Sequence, residues 1–254
     1  MTATESVVLV CACVAFFVAA SAAAAQDAGR EANVAMSVEI SITHTVIDEE
    51  GNMVLPAPTP VVFTVARERR SAGWRTVVAY RKQSGVSTRA SAHPLDGARV
   101  EFDEVAGATR VYDSTGDLNS LLSSDSTGGL PAARGPGQWL DGLVATADSR
   151  SRRSRDLQDK YGNPVERLAG LDRFLTERDG TVEEVLVDPR SALPIEINTV
   201  RDGSLASHVV FDYQRRADGA WIRRRMRAEH ALPGGSGRRS RMTVDFTNLS
   251  TGRR

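Results

Sequence analysis

LDRFLTERDGTVEEVLVDPRSALPIEINTVRDGSLASHVVFDYQRRADGAWIRRRMRAEHALPGGSGRRSRMTVDFTNL, from Leu171 to Leu249, is a series of short apolar-polar alternations cut by turn dipeptides. Asp179-Gly180, Asp202-Gly203 and Asp218-Gly219 supply the positive φ angles that tight hairpins require. Asp188-Pro189 followed by Leu193-Pro194, and the looser Pro233-Gly234-Gly235-Ser236-Gly237, mark two further turns. Period-two alternation between such turns predicts half-buried strands, so the last third of the chain is predicted to be a β-meander.

Upstream the pattern repeats. Val34, Met36, Val38, Ile40, Ile42 and Val46 fall on one parity, and Glu39, Ser41, Thr43 and Thr45 on the other, which predicts a strand. It ends at Asp48-Glu49-Glu50-Gly51-Asn52, and Pro56, Pro58 and Pro60 predict an extended connector. Val61 to Glu68 and Trp74 to Arg81 form a predicted hairpin, followed by strands over Val86–Ala92, Ala98–Asp103 and Ala108–Tyr112. Between Asp113 and Asn163 the alternation stops. One or two helical turns capped by Asp117 are predicted around Leu118, Leu121 and Leu122. Trp139, Leu140, Leu143, Val144 and Ala147 follow a helical stripe and predict a helix from Gln138 to Asp148. A basic run, Arg150, Arg152, Arg153 and Arg155, leads into a short predicted helix from Asp156 to Tyr161 that stops at Gly162 and Pro164. The predicted fold is mainly β. It is a single large curled antiparallel sheet, an open half-barrel of about 11–12 strands, with a helical insertion near 117–161.

The first 25 residues read as a separate object. Val7 to Ala20 is almost wholly apolar, and Ala23-Ala24-Ala25 before Gln26 fits a signal-peptide cleavage pattern, although Glu5 stands where a basic residue is usual. The expectation is a signal peptide over 1–25, with one domain over 26–254 that is periplasmic or secreted; an uncleaved anchor is the alternative. Cys11 and Cys13 lie inside that segment, so the mature chain would contain no disulfide, thiolate metal site or cysteine nucleophile. The formal net charge is zero, but Arg201 to Arg254 carries 12 Arg against 5 Asp and Glu, about +7. Export and overall neutrality argue against a nucleic-acid partner.

The meander also resembles a known family. Val185-Leu186-Val187-Asp188-Pro189-Arg190-Ser191-Ala192-Leu193-Pro194-Ile195 resembles the strand, "DP-x-x-x-LP" turn and strand of the outer-membrane lipoprotein-sorting superfamily, which includes LolA, LolB and RseB-type sensors. Asp202-Gly203 with Val209-Val210-Phe211-Asp212-Tyr213 resembles its next hairpin. Asp218-Gly219-Ala220-Trp221-Ile222 resembles its "dG-x-W" turn, and Met242-Thr243-Val244-Asp245-Phe246 its closing strand. The resemblance covers the last third of the chain. It implies an open β-barrel with helices at its mouth, an apolar cavity for lipid acyl chains, and work outside the cytoplasm. The chain departs from the family in lacking a long amphipathic opening helix, since Gln26–Asn33 is short and polar, and in the prolines at 56, 58 and 60.

Candidate chemistry is sparse. His44, His93, His208 and His230 form no metal-binding spacing, and Asp113–Asn119 and Asp159–Glu166 lack the calcium-loop pattern. No G-x-S-x-G elbow is present, and Glu183 and Glu184, adjacent in a strand, point to opposite faces and cannot act as a pair. No catalytic residue and no cofactor are expected. Two sets of residues suggest binding instead. Trp139, Leu140, Leu143 and Val144 form either a permanently packed stripe or a lid over an acyl-chain cavity. A lid implies that Leu143→Asp abolishes bound lipid with the fold intact. Trp221, Arg223, Arg225 and Arg227 alternate onto one strand face, opposite Ile222, Met226 and Ala228. That face is either a solvated outer surface or a contact for anionic headgroups at a membrane. The expected function is non-enzymatic binding of lipid, acyl chains or a lipoprotein. The alternative is an envelope sensor or scaffold that binds another protein through its sheet. A cavity of several hundred Å³ is the distinguishing feature.

Overall fold

A computed structural model describes residues 35–54, 60–70, 73–82, 96–103, 106–120, 123, 140, 142–232 and 237–252. The signal segment over 1–25, the Gln26–Asn33 lead, the predicted strand Val86–Ala92, Leu121, Leu122 and Trp139 lie outside the described residues. Thirteen strands form one open antiparallel sheet: β1 (Ala35–Ile47), β2 (Val61–Arg70), β3 (Gly73–Tyr80), β4 (Arg99–Asp103), β5 (Thr109–Tyr112), β6 (Val144–Ala145), β7 (Glu166–Leu168), β8 (Leu171–Arg178), β9 (Thr181–Asp188), β10 (Leu193–Arg201), β11 (Ser204–Arg215), β12 (Trp221–Ala231) and β13 (Arg239–Gly252). Their order is β5-β4-β3-β2-β1-β13-β12-β11-β10-β9-β8-β7, with β6 paired to β12. The mainly β open sheet matches the sequence expectation, and its two shortest strands, β6 and β7, account for the difference in number. One helix, α1 (Arg150–Tyr161), stands among the described residues. None of their helices is long and apolar enough to cross a membrane. The chain divides into two compact units, one within 1–39, 62–142 and 248–254, the other within 40–61 and 143–247.

In the first unit, β2 and β3 pair Phe63 with Tyr80 and Val65 with Val78, so alternate residues share a buried side. The Phe63 and Tyr80 rings lie 5.2 Å apart. Arg75, on the other parity, is held between Glu68 and Glu101 at 3.0 Å each. The outer edge of β5 is closed by its own loop. Val111 N donates to Ser123 Oγ, Asn119 N to the Val111 carbonyl, and Asp113 N to the Asp117 carbonyl. Leu118, predicted to start a helical turn, instead forms a β-bridge with Tyr112 and is 56% exposed. Beyond it, Ser123 N donates to the Asn119 carbonyl at 3.1 Å.

In the second unit the turn chemistry reads as predicted. Asp179 and Gly180, then Asp202 and Gly203, all have positive φ, the paired left-handed geometry of two-residue hairpins. Ala169-Gly170 makes the same turn between β7 and β8 without a sequence signal for it. Cross-strand register then sorts the two faces. Val185, Ile197, Val209, Ala228 and Met242 line up across β9 to β13 on one face. Leu157 and Tyr161 of α1 pack onto its Phe174, Val185, Val187 and Ile197 portion. Glu184, Asn198, His208, Glu229 and Arg241 line up on the opposite face. There Asn198 Nδ2 donates to Glu184 and Glu196, and buried Glu229 accepts from Arg239 at 3.3 Å and Arg241 at 2.8 Å.

The helix differs from its prediction at the N-terminal end. The basic run and the Asp156–Tyr161 segment form one helix, because the arginines have carbonyls to serve. Arg150 donates to the Pro189 carbonyl at 2.8 Å, and Arg153 to the Ser191 and Thr146 carbonyls at 2.8 and 3.2 Å. The helix stops at Gly162 with φ 78°, as its sequence implies.

The helix predicted over Gln138–Asp148 is overturned in its described part. Gly142 adopts φ 66°, a left-handed conformation that breaks a helix. Val144 and Ala145 then form β6 against Ile222 and Trp221, and Arg223 N donates to the Leu143 carbonyl at 2.9 Å. The register of β13 against β12 begins at Arg225, so the start of β12 has an unserved edge that β6 completes. Burial alternates accordingly: Leu143 and Ala145 are buried and Val144 is half-buried.

Two histidines set an acid limit. His44 Nε2 lies 2.6 Å from Ser240 Oγ, and burial lowers the pKa of His44 and of His230 below the ordinary 6.5. Neutral imidazole is the form the fold prefers. The stabilisation this gives is complete above pH 6.5, where the unfolded chain is also neutral, and is lost as pH falls through the depressed folded values. Thermal midpoints are therefore expected to drop between pH 7 and pH 5. The double variant His44→Gln/His230→Gln should flatten that drop; an unchanged slope would assign it to other groups.

Candidate functional site

A cavity of about 460 Å³ opens in the second unit. Its apolar wall comes from Leu171, Leu193, Ile195, Tyr213 and Trp221, and its polar wall from the Asp188-Pro189-Arg190-Ser191 turn. Two irregularities build it. The β9–β10 register skips between Pro194 and Glu196, leaving Ile195 as the extra residue. The β11–β12 register skips between Asp212 and Tyr213, with Arg224 as the extra residue. Such bulges re-aim side chains, and they are common beside binding sites.

The turn spends its polar groups on itself. Asp188 Oδ1 accepts from Arg190 N at 3.2 Å, and Oδ2 accepts from Ser191 N at 3.1 Å and Ser191 Oγ at 2.6 Å. Ala192 N closes the turn onto the Asp188 carbonyl, with Ala192 itself at φ 54°. Arg150 and Arg153 of α1 brace the same turn from behind.

The bulge in β12 redistributes the basic cluster that simple alternation places on one face. Arg223 lies over the Phe211 ring at 4.9 Å and the Tyr213 ring at 5.9 Å, with its Nε buried and without a hydrogen-bond partner among the described residues. Arg225 pairs with Asp245 at 2.6 Å, and that hydrogen bond holds its pKa up. Arg227 is exposed. Of the four residues, Trp221 alone is among those lining the cavity. Leu140 and Leu143 are 4% and 1% exposed and, with Val144, are not among its lining residues.

Leu193, Ile195 and Tyr213 stand in the motifs that carry the resemblance but not among the predicted site residues, because regular alternation gives them no special place. A proline at 194 inside an apolar strand, a position found mostly at edges and bulges, is the signal that points to the first irregularity.

Elsewhere the titratable groups serve the fold. Glu183 accepts from Lys160 at 2.8 Å and from Tyr161. Burial alone would raise the Glu183 pKa, but the Lys160 and Tyr161 hydrogen bonds carry it below its ordinary value. Glu184, on the other face, bonds Arg173 and Asn198. The Asp113 carboxylate accepts from Thr115 Oγ and from the Thr115 and Asp117 amides, which lower its pKa and make its acidic loop a turn. No group of three or more potential metal ligands occurs among the described residues.

No protein-family model matches the chain. No curated protein matches it either. Among solved structures it is similar to a LolA superfamily protein from Nitrosomonas europaea, at 12% identity, covering 89% of this chain and 92% of that one, with a TM-score of 0.41. It is also similar to MucB in complex with MucA, at 14% identity, covering 88% and 91%, with a TM-score of 0.21. A porin-like protein from Bacteroides uniformis matches at 10% identity over 83% and 95%, with a TM-score of 0.27. At such scores these likenesses carry no functional argument.

Proposed function

We propose that this chain is an exported, non-enzymatic binding protein that takes an apolar chain, such as a lipid or lipoprotein acyl group, into the cavity of its second unit. The observation that carries the reading is the cavity itself. Its volume falls in the range of about 300–1,000 Å³ that small-ligand sites occupy, and its wall is aliphatic and aromatic. The Asp188 and Ser191 side chains are consumed by their own turn, which leaves the cavity suited to holding a chain and poor in groups for proton transfer. The apolar segment from Val7 to Ala20, with the small residues Ala23-Ala24-Ala25 before Gln26, supports export.

Native mass spectrometry of protein purified from an envelope fraction, with lipid extraction in parallel, tests the proposal. A discrete adduct that yields fatty-acyl species is expected. Ile195→Asp, at a half-buried wall position, should remove the adduct while the β-sheet circular dichroism persists. A bare mass after incubation with solubilised envelope lipids would overturn the reading in favour of a protein-binding scaffold. An adduct that survives Ile195→Asp would move it away from this cavity.

A further inference from the structure

We infer that the ligand of this cavity is an anionic single-chain amphiphile, its carboxylate or phosphate head held by Arg190 and Arg215 at the mouth and its chain along the Trp221–Ile195 wall. The inference rests on the reading of the cavity as an apolar-ligand site. Arg190 is exposed and lines the cavity, and among the described residues its guanidinium has no ion-pair partner. Its backbone amide is bound to Asp188, so the turn fixes where the side chain starts while leaving the guanidinium available. Arg215 is exposed, lies 5.9 Å over the Trp221 ring, and likewise has no ion pair among the described residues. Many other arginines of this unit are committed: Arg167 to Asp172, Arg173 to Glu184, Arg216 to Asp218, Arg225 to Asp245, and Arg239 and Arg241 to Glu229. Exposed Arg178, Arg201 and Arg227 also lack an ion pair among the described residues, but Arg190 lines the cavity and Arg215 lies over the ring of the lining residue Trp221, which puts these two uncommitted cations beside the apolar wall.

The remaining polar features agree. Asp188 is the acid among the lining residues, and three hydrogen bonds from its own turn occupy its carboxylate. Arg150 and Arg153 stand behind that turn and add positive charge. The Tyr213 hydroxyl, on a ring that lines the cavity, is buried without a hydrogen-bond partner among the described residues. A guanidinium pairs bidentately with carboxylate or phosphate, and hydrogen bonds of this kind are roughly twice as strong as neutral ones. A cationic or neutral head would leave both guanidinium groups unanswered.

Delipidated protein is titrated at low salt with dodecanoate, dodecyl phosphate, dodecanol and dodecyltrimethylammonium, below their aggregation concentrations. Dodecanoate and dodecyl phosphate are expected to bind at least about tenfold more tightly than the other two, with the preference shrinking as salt rises. The relative affinity of the two anions tells a fatty-acid head from a phosphate head. Arg190→Gln/Arg215→Gln should reduce the preference to within about twofold while leaving dodecanol affinity and the thermal midpoint in place. Equal binding of dodecanol and dodecanoate would overturn the anionic head and leave the apolar-cavity reading standing. A preference that persists in the double variant would overturn the role of these two arginines. Absence of binding by all four probes would overturn both the inference and the reading beneath it.

Discussion

Leu143→Asp is expected to unfold the second unit and not merely to empty a cavity. Leu143 is 1% exposed, its carbonyl accepts from Arg223 N, and it leads into the strand that completes the start of β12. An aspartate there has to bury a carboxyl group with no assigned partner, a change that costs at least about 4 kcal/mol and ranks among the most damaging single substitutions. Leu143→Ala provides the graded measurement: a cavity-forming deletion at a closed site should cost about 2–5 kcal/mol in urea unfolding, with little change in the slope. A lid residue facing a ligand would behave in the opposite way, with the fold intact and the lipid lost. A folded Leu143→Asp protein that has lost only its lipid would therefore overturn the packing described for β6.

Arg153→Met is expected to cost about 2–3 kcal/mol and to loosen the cavity's polar wall. The Arg153 guanidinium donates to the Ser191 carbonyl through Nε at 3.2 Å and Nη2 at 2.8 Å, and to the Thr146 carbonyl through Nη1 at 3.3 Å. It also bonds Ser149 Oγ at the start of α1. One side chain thus joins the helix, the segment after β6 and the turn that lines the cavity. Methionine keeps the aliphatic stem and removes every donor, so the carbonyls lose charge-assisted partners. Hydrogen exchange should report faster opening of Asp188–Leu193 and of the first turns of α1, with β12 and β13 protected as before. Uniform destabilisation across the unit, without selective opening of the turn, would mean that Arg153 does not brace it.

Both predictions concern segments where local pattern and tertiary contact disagree. In Leu140, Leu143 and Val144 the apolar spacing suits a helical stripe, yet Leu143 and Ala145 also satisfy a strand's period of two. A segment this short cannot separate the periods by itself. The deciding factor is the unpaired edge of β12, formed by residues nearly eighty positions away. The run Arg150–Arg155 reads as solvated charge in isolation, and its helical state follows from carbonyls at Pro189 and Ser191 that the fold brings to it. The basic residues of β12 show the same dependence: alternation puts Trp221, Arg223, Arg225 and Arg227 together, and one bulge at Arg224 sends Arg223 onto aromatic rings while Arg225 meets Asp245.

The sequence by itself determined the strands of the described residues other than β6 and β7, the left-handed hairpins at Asp179-Gly180 and Asp202-Gly203, the stop of α1 at Gly162, and the mainly β open sheet. These features are local, set by side-chain alternation and by the φ angles that glycine and aspartate tolerate. Tertiary structure alone decided the identity of β6, the brace between α1 and the Asp188 turn, and the cavity. A cavity arises where register skips on two strand pairs coincide in space. Each skip depends on which residues of a neighbouring strand it faces, and a single strand's pattern does not contain that information.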